Sequence, residues 1–235
     1  MGGLRLSAPD HVFRGEVPIA VIAPHPDDES LGCGALLARA LAGAGAHVIC
    51  LTDGSASHPG SRLWPPADLA RLRQRELQRA LACLGGTARD LTWLGLPDAG
   101  LYRCDHDALA ARLERIIADL GITHIFAPAI QDHHEDHQAA ARATAALRQR
   151  RPDWSFFSYP IWSRWDDPDF PATIAPFAPV RLPPGPAATR KRAAIEAHES
   201  QLGRIVTDDP TGFVLPPAMV ETFAREDELF WRMPA

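Results

Sequence analysis

The sequence predicts an α/β fold, a Rossmann-like three-layer sandwich with a mostly parallel central sheet. Three observations carry that prediction. Short apolar runs rich in Val, Ile and Ala recur along the 235 residues. Each is followed by a longer stretch with apolar residues at helical spacing. The two kinds of segment alternate, and strand–helix–strand order marks parallel strands joined by crossover helices. The length suits one domain over 1–235 and is short for two.

The first strand spans 17–23, where Val17-Pro18-Ile19-Ala20-Val21-Ile22-Ala23 is a continuous apolar run of the kind buried on both faces. Leu31, Leu36, Leu37, Ala40 and Leu41 then set a helix over 30–43. A second strand follows at 46–52. The segment 54–66, rich in Gly, Ser and Pro, reads as a loop over the site. Helix 67–84, strand 90–95, helix 107–120, strand 122–128, the Ala-rich helix 137–150 and strand 154–159 complete the regular part. The stretch 160–186 is rich in Pro, Trp and Asp and reads as a variable loop region with an extra hairpin near 173–182. Helical spacing returns at 187–202 and 217–232.

Composition narrows the function classes. A formal net charge of -5 gives no footprint for nucleic acid. The basic runs at 71–75, 148–151 and 190–192 fall on helices and read as solvated faces. No run approaches the roughly 20 apolar residues of a membrane span. The N-terminus lacks a basic region followed by an apolar run, so the expectation is a soluble cytoplasmic protein. It is compatible with a monomer or a homo-oligomer. Cys33, Cys50, Cys83 and Cys104 form no CxxC pair, which argues against a cysteine zinc site.

Two turns carry the chemistry. His25-Pro26-Asp27-Asp28-Glu29 lies where the first strand hands over to the first helix. Gln131-Asp132-His133-His134-Glu135-Asp136-His137 lies where strand 122–128 hands over to helix 137–150. In an open α/β sheet such turns sit at the carboxyl ends of the strands, where ligands bind. Carboxylates this crowded need an offsetting charge, and a bound cation is the simplest. His and Asp suit zinc, and three protein ligands leave a position open for chemistry. A lone Asp here would serve as a helix cap. His25 beside it and the second cluster favour a metal.

The expected ligands are His25 and Asp28, three apart on a tight turn, and His137 at the helix start. Asp27, between two ligands, is suited to act as general base. His134 would face the reacting carbonyl as a protonated imidazole. Asp136 would keep it charged, or orient His134 or His137. Glu29 reads as structural, or as an acceptor from a ligand His. His133 reads equally as a site residue or as a loop residue in solvent.

His25-Pro26-Asp27-Asp28-Glu29 and His134-Glu135-Asp136-His137 resemble the two signature motifs of the PIG-L or LmbE-like zinc N-deacetylases. Thr52-Asp53-Gly54, Arg73-Gln74-Arg75-Glu76, Leu94-Gly95-Leu96-Pro97-Asp98-Ala99-Gly100 and His198-Glu199-Ser200-Gln201 extend the resemblance over nearly the whole chain. The chain departs from the pattern at Pro24, where Ala is usual, and at Glu135, where Pro is common. The resemblance implies zinc on His25, Asp28 and His137, with Asp27 as base. It implies that His134 stabilises the oxyanion or protonates the leaving amine, tuned by Asp136. It places Arg73 and Asp98 on the sugar and brings His198 near the substrate. The implied reaction removes an acetyl (acyl) group from the amine of an N-acetylglucosamine-type sugar or conjugate.

Three rivals are weaker. A nucleotide-binding Rossmann reading has Gly32-Cys33-Gly34 after a strand but lacks GxGxxG, and acidic residues occupy the phosphate turn. A two-metal phosphoesterase acting on a small phosphorylated metabolite needs further ligands, one of them from Asp53. A binding module with a structural metal leaves the spare Asp27 without a purpose.

Overall fold

The computed structural model describes residues 10–233. The first nine residues, part of the N-terminal stretch read above as lacking a leader, lie outside that range. The strands are β1 (Ile19–Ala23), β2 (Ala46–Thr52), β3 (Leu91–Leu96), β4 (His124–Pro128), β5 (Ser155–Tyr159), β6 (Val180–Leu182) and β7 (Glu228–Arg232). They form one seven-stranded sheet in the order β3-β2-β1-β4-β5-β7-β6. β1 to β5 pair in parallel, and β7 runs antiparallel to both β5 and β6. The helices among the described residues are α1 (Asp10–Phe13), α2 (Asp28–Ala42), α3 (Pro66–Leu84), α4 (His106–Asp119), α5 (Glu135–Arg150), α6 (Trp162–Asp166), α7 (Phe170–Ile174), α8 (Ala188–Glu196) and α9 (Pro217–Arg225).

Alternation along each strand splits the core into two layers. Ile19, Val21, Ala23, Val48, Phe126 and Phe157 pack on the side of α2, α3, α8 and α9. Ala20, Ile22, Ile49, Leu51 and Ile125 pack on the side of α4 and α5. Both faces are covered, so β1 and β2 are buried at every position. That is why β1 is uniformly apolar and β2 nearly so, its two polar residues, His47 and Thr52, being hydrogen-bonded to the Thr92 hydroxyl and the Pro24 carbonyl. Truncating the fully buried Ile22 to Ala should cost about 2–5 kcal/mol.

Three expectations fail in the C-terminal part of the chain. No hairpin forms at 173–182. Residues Phe170–Ile174 are helical, and β6 finds its partner in the distant β7. The helical spacing at 217–232 ends at Arg225, and Glu228–Arg232 is a strand. Phe230 faces the main core cluster while Leu229 and Trp231 join a cluster with Phe170 and Ile174. Aromatic packing on both faces and non-local pairing override local periodicity here. The 187–202 helix also stops early, at Glu196, before a 3₁₀ turn over Glu199–Leu202.

β7 is tied to α2 as well. The buried Glu228 carboxylate accepts from the backbone N–H groups of Ala35 and Leu36 at 2.6 and 3.0 Å and pairs with Lys191 Nζ at 2.7 Å. β1 lies between β2 and β4, so successive connections leave it on opposite sides. The crevice at such a reversal point is where open α/β sheets bind ligands.

Candidate active site

The two sequence clusters meet in that crevice. The turn between β1 and α2 carries His25, Asp27 and Asp28. The first turn of α5, which follows the adjacent β4, carries His137. Asp28 Oδ2 lies 3.2 Å from His25 Nδ1 and 3.2 Å from His137 Nε2. Donors bound at about 2.0–2.2 Å to one tetrahedral ion lie roughly 3 Å apart, so the spacing fits a metal.

The surrounding hydrogen bonds set the tautomers this requires. His137 Nδ1 pairs with Asp132 Oδ2 at 2.9 Å, and Asp132 is itself fixed by the backbone N–H groups of Ile161 and Ser163, each at 3.0 Å. With the ring proton on Nδ1, Nε2 offers a lone pair. That atom is buried and has no hydrogen-bond partner, as expected of a metal ligand. On the other ring, His25 Nε2 stands 3.2 Å from both Asp98 Oδ1 and Asp136 Oδ2. Those carboxylates take its N–H and leave Nδ1 facing Asp28. Ring nitrogens of His25, His134 and His137 also lie within 4.8 Å of one another.

Asp27 has an unusual backbone, with φ 135°, a region that strains any residue bearing a Cβ. Two bonds hold it there. Its N–H donates to Glu29 Oε2 at 3.0 Å, and its Oδ2 accepts from Arg73 Nη2 at 3.0 Å. Burial pushes the Asp27 carboxyl up to about 6, with the Arg73 guanidinium pulling the other way. Arg73 also donates to the carbonyls of Gly54 and Pro26 at 2.9 and 2.7 Å. Gly54 has φ 66°, and a Cβ there would come within 2.6 Å of Arg73 Nη1. The Thr52-Asp53-Gly54 turn thus makes room for the guanidinium.

Two sequence expectations, for His198 and Asp136, need correction, and Arg73 has a bracing role that the sequence did not show. Arg73 lines the cavity wall, where Nη1 and Nη2 donate to Gly54, Pro26 and Asp27 and the buried Nε has no hydrogen-bond partner, so it braces Asp27 while facing the cavity. His198 is fully buried behind the turn, where Nε2 meets Glu29 Oε1 at 3.2 Å, and it does not line the cavity. Asp136 does not charge His134. Its carboxylate serves His25 and the Leu101 N–H, and only its backbone N–H reaches His134, donating to Nδ1 at 3.2 Å. An Nδ1 that accepts has no proton of its own, so the ring is neutral with its N–H at Nε2. Burial and the neighbouring His25 and His137 lower the His134 pKa to about 4, in the same sense.

Asp98 does line the cavity, with Oδ2 accepting from the Ala56 N–H at 2.8 Å. His133 is exposed beside Asp166, and Asp53 turns to the Ser55 N–H, so neither builds a second metal site. The sequence reading missed Asp132 as an orienting carboxylate. A carboxylate five residues before a ligand His was the available signal. It also missed the wall formed by Trp162 and Phe213. The cavity has a volume of about 660 Å³. Among the described residues no helix is long and apolar enough to cross a membrane.

Comparison with known proteins identifies relatives of the chain and of its fold. A Bacillus cereus protein described as a probable N-acetyl-alpha-D-glucosaminyl L-malate deacetylase 2 is 32% identical over 142 residues, which span 57% of this chain and 62% of that protein. The aligned region therefore covers less than two thirds of that relative. The crystal structure of the conserved protein TT1542 from Thermus thermophilus superposes with a TM-score of 0.65 at 27% identity, over 92% of this chain and 94% of the other. The fold is also that of the N,N'-diacetylchitobiose deacetylase from Pyrococcus horikoshii, with a TM-score of 0.67 at 18% identity over 95% of this chain and 86% of the other. Residues 20–147 match the family described as GlcNAc-PI de-N-acetylase, a span that contains both His/Asp turns. The chain belongs to the GlcNAc-PI de-N-acetylase (PIG-L) family.

Proposed function

We propose that the protein is a zinc-dependent hydrolase that removes an acetyl group from the amine of an N-acetylglucosamine-type sugar or conjugate. The observation that carries this reading is the single Asp28 oxygen 3.2 Å from a nitrogen of His25 and of His137, with Asp27 alongside. His25 Nδ1, Asp28 and His137 Nε2 would hold the ion. A divalent cation there supplies Lewis acidity, polarising an amide carbonyl and acidifying water.

The chain's own groups do the rest. Asp27 gives Oδ2 to Arg73, so its other carboxylate oxygen is the base that takes a proton from the attacking water. His134, neutral and with its proton at Nε2, donates a hydrogen bond to the carbonyl oxygen as negative charge develops. A neutral imidazole is a poor proton source, so the proton that the leaving nitrogen needs returns from Asp27. Asp98 faces the cavity with its Oδ1 shared by His25 and the Ala99 N–H and is placed to meet a sugar hydroxyl.

The test is a free-amine assay on the zinc-loaded protein with N-acetylglucosamine conjugates, beside elemental analysis. About one zinc per chain and amine release are expected. Asp27→Asn should keep the metal and lose activity about a hundredfold or more. Loss of metal in that variant would exchange the roles of Asp27 and Asp28.

A further inference from the structure

Resting on the deacetylase reading above, we propose that Trp162 is a positioning residue for His134, and that a clasp between the loop after β2 and residues 208–213 holds Trp162 in place through Phe213.

His134 is lightly held on its own. Its ring makes one hydrogen bond among the described residues, accepting at Nδ1 from the Asp136 N–H at 3.2 Å. A single long bond leaves the ring able to swing. The Nε2 proton is useful only if it points at the carbonyl oxygen, and a misplacement of about 1 Å in an active site can cost about a hundredfold in rate. Trp162 removes that freedom. Its ring centroid lies 6.0 Å from that of His134 with the planes 19° apart, an offset stack. His25 and His137 meet the same ring at 73° and 49°, so Trp162 supplies the parallel face.

Trp162 is itself fixed through its neighbours. Asp132 accepts from the N–H of Ile161 and of Ser163, the residues on either side of it, each at 3.0 Å. The Ser163 hydroxyl donates to the Gln131 carbonyl at 2.6 Å. Phe213 then meets the indole in a T-shaped contact, with centroids 5.5 Å apart and planes at 68°. Both aromatic residues line the cavity.

Phe213 lies in an irregular segment before α9, and a seam with the loop after β2 sets its place. Its N–H donates to the Ser57 carbonyl at 2.7 Å. The preceding Gly212 lies so close to His58 that a Cβ would come within 2.2 Å of His58 Cδ2. The buried Asp209 takes the Gly60 N–H at 2.8 Å on Oδ2, and the Thr211 N–H and hydroxyl at 3.1 and 2.8 Å on Oδ1. Asp208 takes the Ser61 hydroxyl and the N–H groups of Arg62 and Leu63 at 2.7, 2.8 and 2.9 Å. Hydrogen bonds to ionised carboxylates are stronger than neutral ones, so these two residues clasp the loops together. Contacts thus run unbroken from Asp209 through Phe213 and Trp162 to His134.

The test uses the zinc-loaded protein with N-acetylglucosamine and phenyl N-acetylglucosaminide as probes. Trp162→Ala should lower kcat about tenfold for both, with KM changed by less than about twofold and the zinc content unaltered. Trp162→Phe should recover most of that loss, which a failure to fold would not allow. Asp209→Ala should lower kcat about threefold in the same manner. In a His134→Ala background, Trp162→Ala should cost less than about twofold more, because the group it positions is gone. A further full loss in that background, or a change confined to KM, would overturn the inference. Proton NMR of the imidazoles gives a readout apart from activity. The His134 ring resonances, assigned by their absence in His134→Ala, should lie upfield under the Trp162 ring, move downfield in Trp162→Ala and move part of the way in Asp209→Ala. Resonances that stay put in both variants would likewise overturn it. No amine release from either probe would refute the deacetylase reading, and the resonances would still decide whether Trp162 and Asp209 hold His134.

Discussion

Arg73 Nη2 donates to Asp27 Oδ2 at 3.0 Å, and both side chains are buried. The base and its brace form one unit, and α3 exists at this point in part to deliver that guanidinium. Arg73→Gln leaves a buried carboxylate without its cation, which costs about 3–5 kcal/mol of stability in comparable buried pairs. The guanidinium lowers the Asp27 pKa, so its removal raises it. Activity needs the carboxylate form, so the acid limb of the kcat/KM profile moves to higher pH in the variant. A pH–rate series beside a denaturant titration checks both effects. Arg75→Ala, at an exposed position of the same helix, should change neither.

Asp132 fixes the His137 tautomer. Asp132→Asn should weaken metal binding about 10–100-fold, the usual effect of losing a carboxylate behind a ligand His. His25→Ala and His137→Ala should abolish retention. Competition with a chelator of known affinity reads all three variants on one scale, and unchanged affinity in Asp132→Asn would count against this placement.

His134→Ala should lower kcat by more than tenfold with zinc retained, in line with a lost oxyanion donor. The neutral ring carries a second consequence. An imidazolium donor would fail as pH rises through its pKa. A donor that is already neutral, with a pKa held down near 4, gives no such loss between pH 6 and 8 by itself. A basic limb in that range that vanishes in His134→Ala would refute the neutral form.

His198 acts through Glu29, whose other oxygen holds the Asp27 backbone. His198→Gln should therefore reduce kcat severalfold and leave KM nearly unchanged. A change confined to KM would return His198 to the substrate.

Much of the site was legible because its signals are local. A buried strand followed by His25, Asp27 and Asp28, and another followed by His134 and His137, state both the residues and their place at a strand end. What was not legible depends on partners far along the chain. Nothing in the sequence shows that Arg73 Nη1 and Nη2 donate to Gly54, Pro26 and Asp27, or that the Asp136 carboxylate turns to His25 while its backbone serves His134. β7 was hidden for a related reason. Its residues continue the apolar spacing of α9, and only pairing with β5 and β6 makes them a strand. The cavity wall was missed because Trp162 and Phe213 lie in segments without periodicity and come together only across the fold.

The position of β7 bears on how the molecule is made. Synthesis proceeds from the N-terminus, yet β7, the last in chain order of the seven described strands, fills an interior slot in the sheet. Until residues 228–232 leave the ribosome, β5 offers an open edge and β6 has nothing to pair with. The helix that begins at the ligand Asp28 also lacks the Glu228 carboxylate that holds its middle. Both residues of the first metal-binding turn are thus synthesised early and secured late. Pairings so distant in sequence form slowly and leave edges exposed to aggregation meanwhile. Nascent chains stalled before residue 228 should accordingly be protease-sensitive around α2 and gain protection in one step once β7 emerges.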